Sequence, residues 1–253
     1  MRLLIDAACG CHMGKVRKNN EDNFYFDDKC LELENTGLRN PAAFTSYIRN
    51  GLCFAVFDGM GGENFGEVAS YAAAREMQST SRAFSDFFIS ERKYLQRLTM
   101  RLNNAVMEEK KKLLTERCGS TMVALYFSSN FVYVCNVGDS RVYRLREDGF
   151  LQLSVDHIEK RGDGDQRKAP LTQHLGIDPE DLLIEPYIAK GKINRGDQYL
   201  LCSDGLTDML TNMEISDIMS ASEDAQTCVQ NLIQAALDRG GRDNITVIVC
   251  RIE

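Results

Sequence analysis

A chain of 253 residues with 43% apolar and 26% charged residues has the composition of a globular protein able to bury a substantial core. Its net charge of −7 argues against nucleic acid or an anionic membrane as a partner. No apolar stretch approaches a membrane span, and the run after Met1 is too short for a secretory core, so the expected location is the cytoplasm. Nine cysteines, scattered without a Cys-x-x-Cys pair, predict reduced and mostly buried thiols.

Residues 3–12 predict a strand, followed by a charged loop from Gly14 to Asp22 and a second strand at 23–26. Residues 27–50 hold Pro41, two glycines and many polar side chains, which predicts a loop or decorated hairpin. Leu52 to Phe57 is short, apolar and unbroken, the pattern of a buried strand, and it is expected to end at Asp58. Gly59, Gly61 and Gly62 then allow the backbone to turn sharply and approach a bound ion or phosphate. Helices are predicted from Phe65 to about Phe84 and from Glu91 to about Glu116. In the second, Leu95, Leu98, Leu102, Val106 and Leu113 recur at helical spacing.

Strands at 121–127 and 131–137 predict a hairpin, and the second runs into Gly138-Asp139-Ser140-Arg141 before the strand continues through 142–145. Residues 154–170 predict an exposed, charged loop, and 182–193 a further strand. Gln198 to Cys202 is a short buried strand leading to Ser203-Asp204-Gly205. Helices near 212–221 and 224–239 and a closing strand at 245–250 complete the chain. No repeat, linker or low-complexity tract divides it, so residues 1–253 are expected to form a single domain.

Asp58, Asp139 and Asp204 each follow an apolar strand and adjoin a glycine, and Asp243 precedes one. Taken singly, each is an ordinary turn residue. If the four strands are neighbours, the carboxylates converge on one rim, where mutual repulsion and burial call for a neutralising cation. An all-oxygen set without histidine or cysteine suits Mg²⁺ or Mn²⁺.

The strings Arg17-Lys18-Asn19-Asn20-Glu21-Asp22, Asp58-Gly59-Met60-Gly61-Gly62, Gly138-Asp139-Ser140-Arg141, Ser203-Asp204-Gly205 and Arg242-Asp243-Asn244-Ile245-Thr246 resemble the metal-dependent protein phosphatase family, type 2C, of the bacterial kind. Each string alone is weak; five in the family's order across nearly the whole chain are specific. The resemblance implies an α+β fold, a four-layer α-β-β-α sandwich of two antiparallel sheets flanked by helices. It implies two Mn²⁺ or Mg²⁺ ions at one edge and a third beside them. Matched position by position, Asp58 would bridge the two core ions, Asp204 and Asp243 would complete one, and the Gly59 carbonyl would serve the other. Glu21 and Asp22 would hold water around the metals, Arg17 would grip the substrate phosphate, and Asp139 with Asp204 would bind the third ion.

The chemistry implied is hydrolysis of phosphoserine and phosphothreonine in proteins by a hydroxide shared between the metals, with no side-chain nucleophile. A cognate protein kinase and a monomeric state are expected with it. Two departures bear on mechanism and specificity. Position 60 is Met, where many eukaryotic members carry a histidine proposed as general acid, and the segment from Asp156 to Leu171, matching the family's flap, is short and charged. His12, near Arg17 in sequence, is the first histidine to consider as an alternative acid. Other readings of the same motifs are a phosphatase of small phosphorylated molecules or a catalytically weak binding module.

Overall fold

The computed structural model describes residues 3–60, 65–83, 89–115, 117–160 and 169–253. In chain order the elements are β1 (Leu4–His12), β2 (Asp22–Tyr25), β3 (Ala42–Tyr47), β4 (Leu52–Met60), α1 (Gly66–Ala83), α2 (Glu91–Leu113), β5 (Gly119–Ser120), β6 (Met122–Ser128), β7 (Phe131–Val137), β8 (Arg141–Arg146), β9 (Gly149–Gln152), β10 (Tyr187–Lys192), β11 (Gln198–Cys202), α3 (Asp204–Thr207), α4 (Asn212–Ala221), α5 (Ala225–Asp238) and β12 (Ile245–Ile252).

Two antiparallel sheets result. One runs β3-β1-β12-β11-β8-β9. The other runs β10-β7-β6-β4-β2, with β5 paired to the end of β4. The inner faces of both sheets meet in a central core that includes Ile5, Phe24, Phe54, Leu125, Leu201 and Ile248. Within it Phe26 and Phe54 lie 5.1 Å apart between centroids, and Phe127 stands edge-on to both Phe54 and Tyr199. Burying each such aromatic contributes roughly 1.5–3 kcal/mol. The outer face of the second sheet is covered by α1 and α2 through Ala69, Ala73, Leu95, Leu98 and Leu102. The outer face of the first is covered by α3, α4 and α5 through Leu206, Ile215, Val229 and Leu232. The four-layer sandwich expected from the sequence is the observed architecture.

Helix starts follow local chemistry. Ser90 caps α2 by accepting from Lys93 N–H, Thr211 and Glu214 form a reciprocal capping box on α4, and Asp224 accepts from Thr227 N–H at 2.7 Å on α5. Among the described residues no helix is long and apolar enough to cross a membrane.

Several elements depart from the sequence expectation. β4 does not stop at Asp58 but continues to Met60, because β5 supplies backbone partners for Gly59 and Met60. The segment 27–50, expected as loop or hairpin, contains β3, which pairs with β1 along the sheet edge. Residues 142–145 do not prolong the preceding hairpin: β7 lies in one sheet and β8 in the other, so Gly138-Asp139-Ser140 is a crossover between layers. The strand expected over 182–193 begins only at Tyr187. α2 ends at Leu113, with Leu114 in the left-handed region as its cap. Glu116, Phe84, Gly61, Gly62 and the charged run 161–168 lie outside the described residues.

Candidate active site

At one end of the sandwich, where β4 and β7 of one sheet face β11 and β12 of the other, the side chains surround a cavity of about 430 Å³. Its walls are Arg17, Glu21, Asp58, Gly59, Met60, Thr121, Asp139 and the carboxylates Asp204 and Asp243, with Ala169 and Leu171 at one side. Four strand ends that are remote in sequence thus deliver their aspartates to one place. Glu21 and Arg17 come from the loop before β2.

Asp58 sits within β4, directly opposite Asp22 on β2. The two have different surroundings. Asp22 is 2% exposed and is not among the cavity-lining residues. Its Oδ2 accepts from Ser203 Oγ and Thr246 Oγ1, each at 2.7 Å, which ties β2 to the opposing sheet. Burial pushes its carboxyl up to about 7 in spite of those bonds. Burial also raises Glu21, partly offset by the Arg17 guanidinium. Gly59 is forced to be glycine: a Cβ there would overlap the carbonyls of Gly66 and Glu21.

Among the described residues, five carboxylates and one guanidinium therefore line the cavity. Arg17 donates from Nη2 to Asp243 Oδ2 at 2.6 Å and stands 3.9 Å from Glu21; the hydrogen bond to Asp243 holds it charged, above its ordinary value. Among the described residues, no three carboxylate, imidazole or thiol groups are drawn together tightly enough to form a ligand shell unaided. They stand instead around the cavity, with no histidine or cysteine in its walls. Such an oxygen-rich, carboxylate-dominated donor set, together with a backbone carbonyl at Gly59, fits hard divalent cations.

Two residues that hold the site together were given no role by the sequence reading. Thr121 Oγ1 accepts from Asp58 N–H at 3.1 Å and lies 2.7 Å from Ser140 Oγ, while Thr121 N–H donates to the Asp58 carbonyl at 2.8 Å. It links the strand of Asp58 to the crossover of Asp139. Asn244 accepts from Glu21 N–H at 2.8 Å and donates to the carbonyls of Met13 and Asn19 at 2.8 and 2.9 Å, closing the loop that carries Arg17. Beside the crossover, Arg141 forms a bidentate pair with Asp156, whose neighbour His157 bonds Gly138 through both its backbone and its ring.

The histidines do not line the cavity. His12 Nδ1 accepts from Gly14 N–H at 2.8 Å, and its ring lies in a separate groove beside Leu38–Pro41 and α5. Burial lowers the pKa of all three rings. The cysteines are free thiols, eight of them buried and Cys30 half-buried.

A family model described as protein phosphatase 2C matches residues 37–239, most of the chain. The chain belongs to the protein phosphatase 2C family. Among protein phosphatase 2C relatives, the serine/threonine phosphatase stp of Listeria innocua is 29% identical over 255 residues, spanning 93% of this chain and 91% of that one. PppA, described as a key regulatory component of T6SS in Pseudomonas aeruginosa, superposes with a TM-score of 0.75 at 27% identity, covering 98% of both chains. The catalytic domain of the serine/threonine protein phosphatase PstP, solved in complex with two manganese ions, gives a TM-score of 0.76 at 26% identity over 99% of both.

Proposed function

We propose that this chain is a metal-dependent phosphatase of phosphoserine and phosphothreonine in proteins, acting opposite a protein kinase as a monomer, with residues 1–253 forming one catalytic domain. The observation that carries the proposal is the cavity whose described walls bring five carboxylates together with Arg17, in a chain of the protein phosphatase 2C family. The manganese pair of the PstP structure supports the choice of metal.

In this reading Asp58, Asp204, Asp243 and the Gly59 carbonyl would hold two Mn²⁺ or Mg²⁺ ions, with Asp58 serving both, and Glu21 would order water around them. Asp139 with Asp204 would hold a third ion. Asp22 acts from beneath, fixing β2 through Ser203 and Thr246. When bound, such ions acidify water and neutralise phosphoryl charge. The remaining work belongs to the chain itself. Arg17, the only cation among the described residues of the cavity wall, binds the phosphoryl oxygens with its planar fork and orients them for in-line displacement. Thr121 keeps Asp58 in register with the Asp139 crossover. Met60 has no proton to give, so the serine or threonine oxygen must be protonated from the side of the cavity organised by Asp139.

The test is Mn²⁺-dependent hydrolysis of p-nitrophenyl phosphate beside a panel of phosphothreonine and phosphoserine peptides. Turnover of both supports the proposal. Turnover of p-nitrophenyl phosphate alone would favour a small-molecule phosphatase, and turnover of neither would leave a binding module.

A further inference from the structure

The loop that carries Arg17 lies backbone-to-backbone on the turn that carries Asp243. Lys15 N–H donates to the Gly241 carbonyl at 2.7 Å. Gly14, at φ +85°, approaches so closely that a Cβ would run into the carbonyls of Asp243 and Gly241. Asn244 bonds the carbonyls at both ends of the loop, Met13 and Asn19. The tip is therefore held in place. Arg17 lines the cavity, and Lys15, Lys18 and Arg242, each one or two residues from a lining residue, are exposed.

These three cations are not neutralised. Among the described residues none of them forms an ion pair; what sets them apart from other unpaired surface cations is their place beside Arg17 and Asp243. In a chain of net charge −7 with an acidic cavity, an anionic substrate is repelled at long range. Exposed cations on the two segments that carry Arg17 and Asp243 provide a local field of the opposite sign. Lys18 and Arg242 are each one residue, about 3.8 Å of backbone, from the cavity-lining Arg17 and Asp243. Side chains flanking a phosphoresidue held in the cavity fall within that reach, since an extended peptide advances about 3.3 Å per residue.

We infer that Lys15, Lys18 and Arg242 form a basic rim that selects phosphoprotein segments bearing further negative charge next to the phosphoresidue, either acidic side chains or a second phosphate. The inference rests on the proposed function and names the substrate class of the same site.

The experiment compares the full chain with the triple variant K15Q/K18Q/R242Q. The substrates are phosphothreonine peptides of one core sequence with glutamate, second-phosphothreonine, neutral or lysine flanks, together with p-nitrophenyl phosphate, which has no flanks. At low salt the wild type is expected to favour glutamate or phosphate flanks over neutral ones by about tenfold in kcat/KM. The triple variant should bring that ratio close to one and leave p-nitrophenyl phosphate within twofold. The wild-type preference should fade as salt rises. Whether glutamate flanks suffice or a second phosphate is needed separates the two anion sources. Equal ratios in wild type and variant, or no wild-type preference, would overturn the rim. So would an unchanged peptide ranking accompanied by lost sedimentation on phosphatidylserine vesicles, which would assign the rim to a membrane surface. Peptide affinity measured by fluorescence anisotropy in EDTA reads the same preference without turnover. If neither p-nitrophenyl phosphate nor any peptide is cleaved, the proposed function fails, and anisotropy still decides the rim.

Discussion

β11 is flanked by two aspartates that each adjoin a glycine, and the two ends of this one strand treat them oppositely. Asp197, just before the strand, has a fully buried side chain. Its oxygens accept from Arg146 at 2.6 and 2.8 Å, from Asn194 N–H at 2.9 Å and from the Tyr199 hydroxyl at 3.0 Å. Asp204, just after the strand, opens into the cavity and shares it with four more carboxylates, one of which, Asp243, engages Arg17. The first carboxylate stands alone against a guanidinium of its own. The second stands in a cluster of five carboxylates that line one cavity. A lone carboxylate held by an arginine is structural, whereas carboxylates gathered around one cavity are placed to hold a cation together.

The largest effect that follows from this contrast is on turnover. Asp58→Asn removes the carboxylate proposed to serve two ions and should lower kcat/KM by about 10³-fold or more, with the far-ultraviolet circular dichroism unchanged. Near-wild-type turnover at saturating Mn²⁺ would break the functional half of the comparison.

Asp139→Ala should separate substrates. A serine or threonine alkoxide must be protonated as it leaves, whereas p-nitrophenolate leaves unaided. Peptide hydrolysis should therefore drop by about 10²–10⁴-fold and p-nitrophenyl phosphate far less. Equal losses on both would mean that Asp139 serves the core site or the fold.

The two ends of β11 can be set against each other directly by urea unfolding in EDTA. Asp197→Asn, which leaves Arg146 without its partner, should cost about 2 kcal/mol at pH 7. Asp204→Asn should cost less, because it also removes one of five clustered like charges. The pH dependence has a defined sign. Burial alone would raise Asp197, but the bonds from Arg146, Asn194 and Tyr199 outweigh it and hold its pKa below the ordinary 3.8. Its stabilisation is present above that value and is lost as pH falls through the lower folded one, so the gap between wild type and Asp197→Asn should close in acid. A gap that widens in acid, or a ranking in which Asp204→Asn is the more costly, would contradict the comparison.

The smallest effect concerns Thr121. Thr121→Val keeps the shape but removes the acceptor for Asp58 N–H, and it should lower kcat/KM about tenfold, with Thr121→Ser restoring most of it. Failure of serine to rescue would indicate a packing role instead.

Much of the fold was legible because the strands that build it are short apolar runs, such as Leu52–Phe57 and Gln198–Cys202, each buried within a sheet. What could not be read was pairing between distant segments. The last residues of β4 are strand only because β5 lies beside them, and β3 is a half-buried edge strand whose pattern is weak without β1. The change of sheet at Gly138–Ser140 leaves no local mark, since strand propensity is the same on either side. The site was legible for a different reason. Local chemistry does not distinguish Asp204 from Asp197, each beside a glycine at an end of the same strand; the ordered motifs resembling a family did. Thr121 and Asn244 escaped because they act by bonding backbone 63 and 225 residues away, which no window on the sequence spans.

The central claim is that the carboxylate-lined cavity takes divalent cations, and calorimetric titration of metal-free protein with Mn²⁺ at neutral pH tests it most directly. Wild type should bind at least two ions and gain thermal stability as they bind, Asp58→Asn should lose that binding, and Asp197→Asn should keep it. Binding that is absent from the wild type, or that survives unchanged in Asp58→Asn, would contradict the account.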